Sequence, residues 1–180
     1  MIVGVLALQG GVAEHAEMIR GLHHLPREIR RAGDLAGIAA LILPGGESTT
    51  MNKLIDIFGL REPLADAARR VPTMGTCAGL ILLSQLGVLD VDVERNAFGP
   101  QVDSESLALP WGEGEITAAF IRAPAITRTG RDVETLSTYR GRTVAVRQGG
   151  VLGLSFHPEL TGDTTAHRAL LDAARDPATN

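Results

Sequence analysis

The chain has 180 residues, enough for one domain that buries roughly 70% of the surface its unfolded form exposes. Hydrophobic residues make up 44% and charged ones 21%, near the globular average, which excludes a disordered chain and a disulfide scaffold. A formal charge of −4 and 3% aromatic residues give no electrostatic or stacking case for nucleic acid.

Taken from the start, Ile2 to Leu8 reads as a buried strand, Gly10-Gly11 as a turn, and Val12, Ile19 and Leu22 as the apolar positions of a helix reaching about His24. No basic segment precedes the first strand, so no signal peptide is expected. The apolar run Ala36 to Leu43 is far shorter than the ~20 residues of a membrane helix, so no membrane association is expected either. Ala39 to Leu43 predicts a second strand, ended by Pro44-Gly45-Gly46. Helices are predicted from Thr49 towards Phe58 and from Pro63 to Arg70. Thr73 to Thr76 is a short strand running into Cys77, and Ala78 to Leu86 a helix. This alternation implies βαβ units, hence a parallel sheet with helices on both faces.

After Gly87 the pattern changes. Val91 to Val93, Ile116 to Ile121, Val133 to Leu136, Thr143 to Val146 and Val151 to Phe156 are short strand candidates between Gly, Pro and Asp turns, which suggests antiparallel additions to the sheet. A last helix is predicted over Thr165 to Arg175. No linker, repeat or low-complexity tract divides the chain, so a single domain over 1–180 is expected.

Cys77 is the only cysteine, which excludes an internal disulfide and any multi-cysteine zinc site and suits the reducing cytoplasm. Lys53 is the only lysine, so a Schiff base has a single candidate. Gly75-Thr76-Cys77-Ala78-Gly79 has the form of a nucleophile elbow, in which a sharp strand-to-helix turn lifts the central side chain above the sheet edge. A lone cysteine without such context is more often a small buried hydrophobe. Within the elbow, the helix N-terminus favours the thiolate and the Ala78 amide is placed as one oxyanion donor.

A thiol nucleophile needs a base. His157 ends a predicted strand and opens His157-Pro158-Glu159; Pro158 biases it to extended backbone, where residues two apart point the same way, so Glu159 can orient the imidazole. His15, His23, His24 and His167 lie in helix or loop contexts without a partner at useful spacing, which points to surface or capping roles. None forms a metal pattern. Pro44-Gly45-Gly46-Glu47-Ser48-Thr49 follows a strand and opens a helix but lacks the Gly-Lys-Ser/Thr ending of a phosphate loop. It is either a glycine turn with Ser48 or Thr49 as helix cap, or the source of a second backbone oxyanion donor near Gly46, facing Cys77 across the sheet's C-terminal edge.

Six segments in order resemble a known family: Val5-Leu6-Ala7-Leu8-Gln9-Gly10, Leu43 to Thr50, Gly75 to Leu80, Val93-Glu94-Arg95-Asn96-Ala97-Phe98-Gly99, Phe120-Ile121-Arg122-Ala123-Pro124 and Ser155-Phe156-His157-Pro158-Glu159-Leu160. Together they are similar to the glutaminase subunits of pyridoxal 5′-phosphate synthase, members of the class I, or triad, glutamine amidotransferases. The resemblance runs from Ile2 to about Thr161. It implies an α/β, flavodoxin-like three-layer sandwich with a mainly parallel sheet. It makes Cys77 the nucleophile, His157 the base and Glu159 its orienting carboxylate. It matches Gly46, Glu47, Ser48, Arg95, Ile121 and Arg122 to glutamine-contacting positions, with Gly46 and Ala78 at the oxyanion hole. An α-carboxylate is a group that arginine clamps, and an α-ammonium favours nearby acceptors.

The implied reaction is hydrolysis of L-glutamine to glutamate and ammonia through a Cys77 thioester, the ammonia passing to a separate barrel-shaped synthase subunit. No metal and no cofactor are implied. The chain departs from the family's pattern in a shorter connection between Leu86 and Val91 and in Pro100 after Gly99. Two other classes fit the residues alone: a cysteine hydrolase or peptidase of similar fold, distinguished by its substrate profile, and a non-catalytic binding module, which forms no thioester.

Overall fold

A computed structural model describes residues 1–99 and 106–176; Pro100 lies outside them. The first half is β1 (Ile2–Leu6), α1 (Val12–Gly21), β2 (Leu25–Ile29), a 3₁₀ turn (Ala32–Leu35), β3 (Ala40–Leu43), α2 (Ser48–Ile57), α3 (Arg61–Arg70), β4 (Thr73–Thr76) and α4 (Ala78–Gln85). The second half is β5 (Val91–Glu94), β6 (Ser106–Trp111), β7 (Gly114–Ala119), β8 (Ala125–Thr129), β9 (Glu134–Tyr139), β10 (Arg142–Gln148), β11 (Val151–Leu154), a 3₁₀ turn (Pro158–Leu160) and α5 (Thr165–Arg175).

Nine strands form one sheet in the order β2-β1-β3-β4-β11-β10-β8-β5, with β9 also pairing β10. The first five strands of that path are mutually parallel, and β10, β8, β5 and β9 are joined antiparallel. The parallel part is the flavodoxin-like order, with β11 in the fifth place. β6 and β7 pair separately as a two-stranded sheet.

Strand β3 shows why the sheet is covered on both faces. Leu41 and Leu43 enter one core with Met51, Ile55, Leu64, Leu80 and Leu83 of α2, α3 and α4. Ala40 and Ile42 enter the other, with Ile19 of α1, Leu170 and Leu171 of α5, and Leu109 and Ile116 of the small sheet. Successive residues of a strand face opposite ways, so a four-residue run buried throughout demands a layer on each side. The result is three layers, α/β/α, with the β6–β7 hairpin added to one of them.

Three strands differ from the sequence reading. β2 carries Pro26, Arg27 and Glu28, a composition that reads as loop; it is tolerated because β2 is the sheet's edge strand and only Ile29 is buried. β6 contains Pro110 and pairs only with β7. β8 follows Pro124 and buries only Ala125 and Ile126. The helix predicted to His24 stops at Gly21 because the chain must turn to bring Leu25 beside Ile2.

Candidate active site

The C-terminal ends of the parallel strands converge on one cavity of about 450 Å³. β3 delivers Gly46, Glu47 and Ser48, β4 delivers Cys77 and Ala78, β5 leads into Arg95, and Ile121 and Arg122 precede β8; all of them line the cavity with His157. Open α/β sheets place ligand sites at this edge. Every predicted contact residue is therefore brought together, and Glu159 stands directly behind His157. A second cavity, of about 580 Å³, is bounded by Trp111, Glu134, Arg147 and Asp172 and contains none of the predicted residues.

Cys77 sits at φ 49°, ψ −105°, a left-handed conformation held at the junction of β4 and α4. The strain is borne by the nucleophile itself. The flanking glycines serve another purpose, close approach: a Cβ on Gly79 would lie 1.8 Å from the Leu43 carbonyl oxygen, and one on Gly75 2.5 Å from that of Gly79. The Cys77 N–H donates to the Leu154 carbonyl at 2.8 Å, anchoring the turn to β11. Its thiol points towards the Ile121 carbonyl oxygen, 3.9 Å away.

Behind the thiol, His157 Nδ1 lies 2.7 Å from Glu159 Oε1. That bond engages Nδ1 and leaves Nε2 for the thiol. Glu159 reaches His157 from the 3₁₀ turn Pro158–Leu160 and not from extended backbone, so the predicted pairing forms by a different route. Both side chains are almost wholly buried. Burial disfavours charge on His157, but hydrogen bonding to Cys77 and Glu159 and their charges outweigh it and raise its pKa to about 10. Burial likewise opposes ionisation of Glu159, while the imidazoles of His157 and His15 hold it below the usual carboxylate range.

The loop after β3 is capped by Glu47, not by Ser48 or Thr49. Its carboxylate accepts the N–H groups of Thr49 and Thr50 at 3.0 and 2.7 Å, and the Thr50 hydroxyl at 2.6 Å. These bonds, that from the Thr50 hydroxyl first, bring its pKa down to about 2. A fixed negative charge thus stands at the cavity rim. Gln9, part of the first motif, donates from Nε2 to the Glu47 carbonyl at 2.6 Å.

Backbone strain collects here. Of the five non-glycine residues with positive φ among the described residues, Cys77, Asn96 and Arg122 line this cavity. Such strain persists only where the surroundings impose it, and it clusters at functional sites. Asn96, Ile81 and Pro124 complete the lining. Among the described residues no group of His, Cys, Asp and Glu is arranged to hold a metal ion.

Two histidines depart from the sequence reading. His15 and His167 are buried, not surface or capping residues. A signal for this was present: His15 falls three residues after Val12 and four before Ile19, and His167 three before Leu170, on the inward stripe of each helix.

Comparison with known proteins agrees with this geometry. The chain is 48% identical to the pyridoxal 5′-phosphate synthase subunit PdxT of Corynebacterium jeikeium (strain K411), over 95% of each chain. It is 50% identical to the subunit of that name from Bacillus licheniformis, over 91% of this chain and 89% of the relative. A crystal structure described as a glutamine amidotransferase superposes with a TM-score of 0.91 at 43% identity, covering 98% of this chain and all of the other. With the elbow, the paired histidine and carboxylate, and the fold in place, and with the family model matching residues 5–172, the chain belongs to the SNO glutamine amidotransferase family.

Proposed function

We propose that Cys77, His157 and Glu159 carry out the hydrolysis of L-glutamine to glutamate and ammonia, as the glutaminase subunit of a pyridoxal 5′-phosphate synthase. The observation that carries the assignment is the 2.7 Å bond from His157 to Glu159 directly behind a strained Cys77 in the same cavity. A base raised to about 10 draws the thiol proton, and the thiolate attacks the side-chain amide carbon of glutamine. The amides of Gly46 and Ala78 face the developing oxyanion. His157 then returns its proton to the leaving nitrogen, and ammonia departs. Water, deprotonated by His157, attacks the thioester, and glutamate leaves with Cys77 restored.

Arg95 and Arg122 hold the substrate's α-carboxylate. Ionised Glu47 faces its α-ammonium, Ser48 borders the same end, and Ile121 closes the wall beside the thiol. The relatives' name pairs this subunit with a synthase, and we assign the ammonia to a barrel-shaped partner that builds the pyridoxal ring. Residues 1–180 act as one domain: strands from both halves of the chain share one sheet. We place the protein in the cytoplasm, without nucleic-acid partners, metal or cofactor. Among the described residues no helix is long and apolar enough to cross a membrane.

The test is glutamine turnover with the synthase partner present. Cys77→Ala is expected to abolish ammonia release while keeping the folded circular-dichroism spectrum, and a glutamine-analogue electrophile should add once per wild-type chain, at Cys77. Turnover by Cys77→Ala at the wild-type rate would overturn the assignment.

A further inference from the structure

A buried polar chain runs behind the triad and plays no part in the chemistry described above. His15 of α1 places Nε2 3.5 Å from Glu159 Oε2 and 3.3 Å from Thr76 Oγ1. Its Nδ1 lies 2.9 Å from His167 Nε2 of α5. Thr76 Oγ1 in turn accepts the Gly45 N–H at 3.0 Å. Glu159 Oε2 and His167 Nδ1 make no hydrogen bond, and the 3.5 Å ion-pair contact with His15 is the polar approach to Glu159 Oε2.

The proton positions follow from counting donors. If His15 carried its proton on Nδ1, it would donate to His167 Nε2; His167 would then bury an unpartnered Nδ1–H, and Glu159 Oε2 would face no donor. If His15 carries its proton on Nε2, that N–H donates to Thr76 Oγ1 and faces Glu159 Oε2 at ion-pair distance, and His167 Nε2–H donates to His15 Nδ1. The Thr76 hydroxyl proton and a lone pair on His167 Nδ1 are then left over. Each arrangement leaves one donor unmade, but the first also leaves a buried carboxylate oxygen facing no donor, which costs more than one idle lone pair, so the second prevails. Both rings are neutral in it. Burial lowers the pKa of His15, and burial with neighbouring His15 brings His167 down to about 3.

We propose that His15 is a positioning residue for the triad: its Nε2–H, facing the second oxygen of Glu159 at 3.5 Å and bonded to the Thr76 hydroxyl, stabilises the carboxylate and ties the orientation of His157 to the loop that carries Gly46. The inference rests on the triad reading above. His167 sets the tautomer. The titratable groups around Glu159 are His157 beside it, Cys77 on the elbow, Glu14 and His15 on α1, His167 on α5, and Asp163 before α5. Of these, His15 places a ring nitrogen within ion-pair distance of Oε2.

The experiment compares His15→Leu, which removes the donor, with His15→Gln, whose amide can place an N–H near the position of Nε2. Assays use glutamine with the synthase partner, over pH 5 to 9. His15→Leu is expected to lower kcat about 10- to 100-fold with KM within about twofold, the usual cost of losing an orienting partner. It also moves the acid limb of kcat/KM to higher pH, because an undonated carboxylate protonates more readily. His15→Gln is expected to restore most of kcat and the limb. Equal impairment of both variants with an unmoved acid limb, or no effect of His15→Leu, overturns the proposal. Should His15→Leu fail to fold, His167→Leu frees the His15 tautomer instead, and an unmoved limb there overturns it equally. Cys77→Ala and Glu159→Gln run in parallel: if they stay active the triad reading fails, whereas if they are inactive and His15→Leu is unaffected, only the role of His15 fails.

Discussion

The backbone N–H of Gly45 donates to the Thr76 hydroxyl at 3.0 Å, joining the loop after β3 to the residue just before the nucleophile. β3 and β4 are neighbouring parallel strands, so this bond ties their C-terminal ends just beyond the last paired residues, Leu43 and Gly75. The Gly45-Gly46 loop and the elbow are thereby coupled by a direct hydrogen bond.

Thr76→Val keeps the branched shape but leaves the Gly45 amide buried without its acceptor, a loss of about 1–3 kcal/mol. A lowered denaturation midpoint together with a lower kcat is expected, since the loop next to Gly46 is released. Calorimetry beside glutamine turnover checks it. A stability loss with unchanged kcat would show that the loop does not need this tether.

Gly79→Ala drives a methyl group into the Leu43 carbonyl, where backbone and not a flexible side chain is the obstacle. Forcing atoms into a packed core costs about 1–3 kcal/mol, here with a displaced elbow. Equilibrium denaturation should show the loss, and the electrophile labelling rate of Cys77 should fall with it. Wild-type stability would mean that α4 shifts freely against β3.

Arg95→Met and Arg122→Met separate substrate recognition from chemistry. The α-carboxylate is remote from the scissile amide, so contacts there contribute binding and alignment. Removing one charge-assisted hydrogen bond costs about 1.5–3 kcal/mol, which raises KM for glutamine about 10- to 100-fold. Labelling of Cys77 by a small electrophile without a carboxylate should stay near the wild-type rate. Parallel losses in both would place the arginines in the fold or the triad instead.

The buried imidazoles predict a pH dependence of stability. His15 and His167 have lowered pKa values in the folded protein, so between about 6.5 and the folded values the unfolded chain binds protons that the native state refuses. Their contribution is full above pH 6.5 and is lost as pH falls, with a slope of up to about 2.7 kcal/mol per pH unit for two sites. Glu159 is lowered as well and adds to the loss below its ordinary value. His157 is raised to about 10, so its contribution is full below about 6.5 and lost as pH rises towards that value. These four groups place maximal stability near pH 6.5. Denaturant midpoints from pH 4.5 to 9 measure it, and His167→Leu should flatten the acid side. A midpoint constant from pH 7 to 5 would contradict neutral buried rings.

Much of this protein was legible along the chain. The elbow around Cys77, the His157-Pro158-Glu159 step and the turn at Gly45-Gly46 are local patterns, because sharp backbone geometry needs particular residues at fixed spacing. The buried parallel strands were legible for a similar reason: Ala40 to Leu43 are apolar throughout, which only a strand covered on both faces requires. The edge strand β2 was not, since with one neighbour and little burial it needs no apolar run. Nor was the left-handed backbone of Arg122, which the surroundings impose on a residue without special propensity for it.

What only the tertiary structure decided is the meeting of distant segments. His15 and His167 stand 152 residues apart yet share a hydrogen bond, and their burial became possible because α1 and α5 cover the same face of the sheet. Capping of α2 by Glu47 in place of Ser48 or Thr49 was decided by a shift of one or two residues in the helix start. Residue type and spacing determine which chemistry a segment can offer. Which side chains share a low-dielectric interior, and therefore which protons they keep, depends on packing across the sheet, and no local pattern records that.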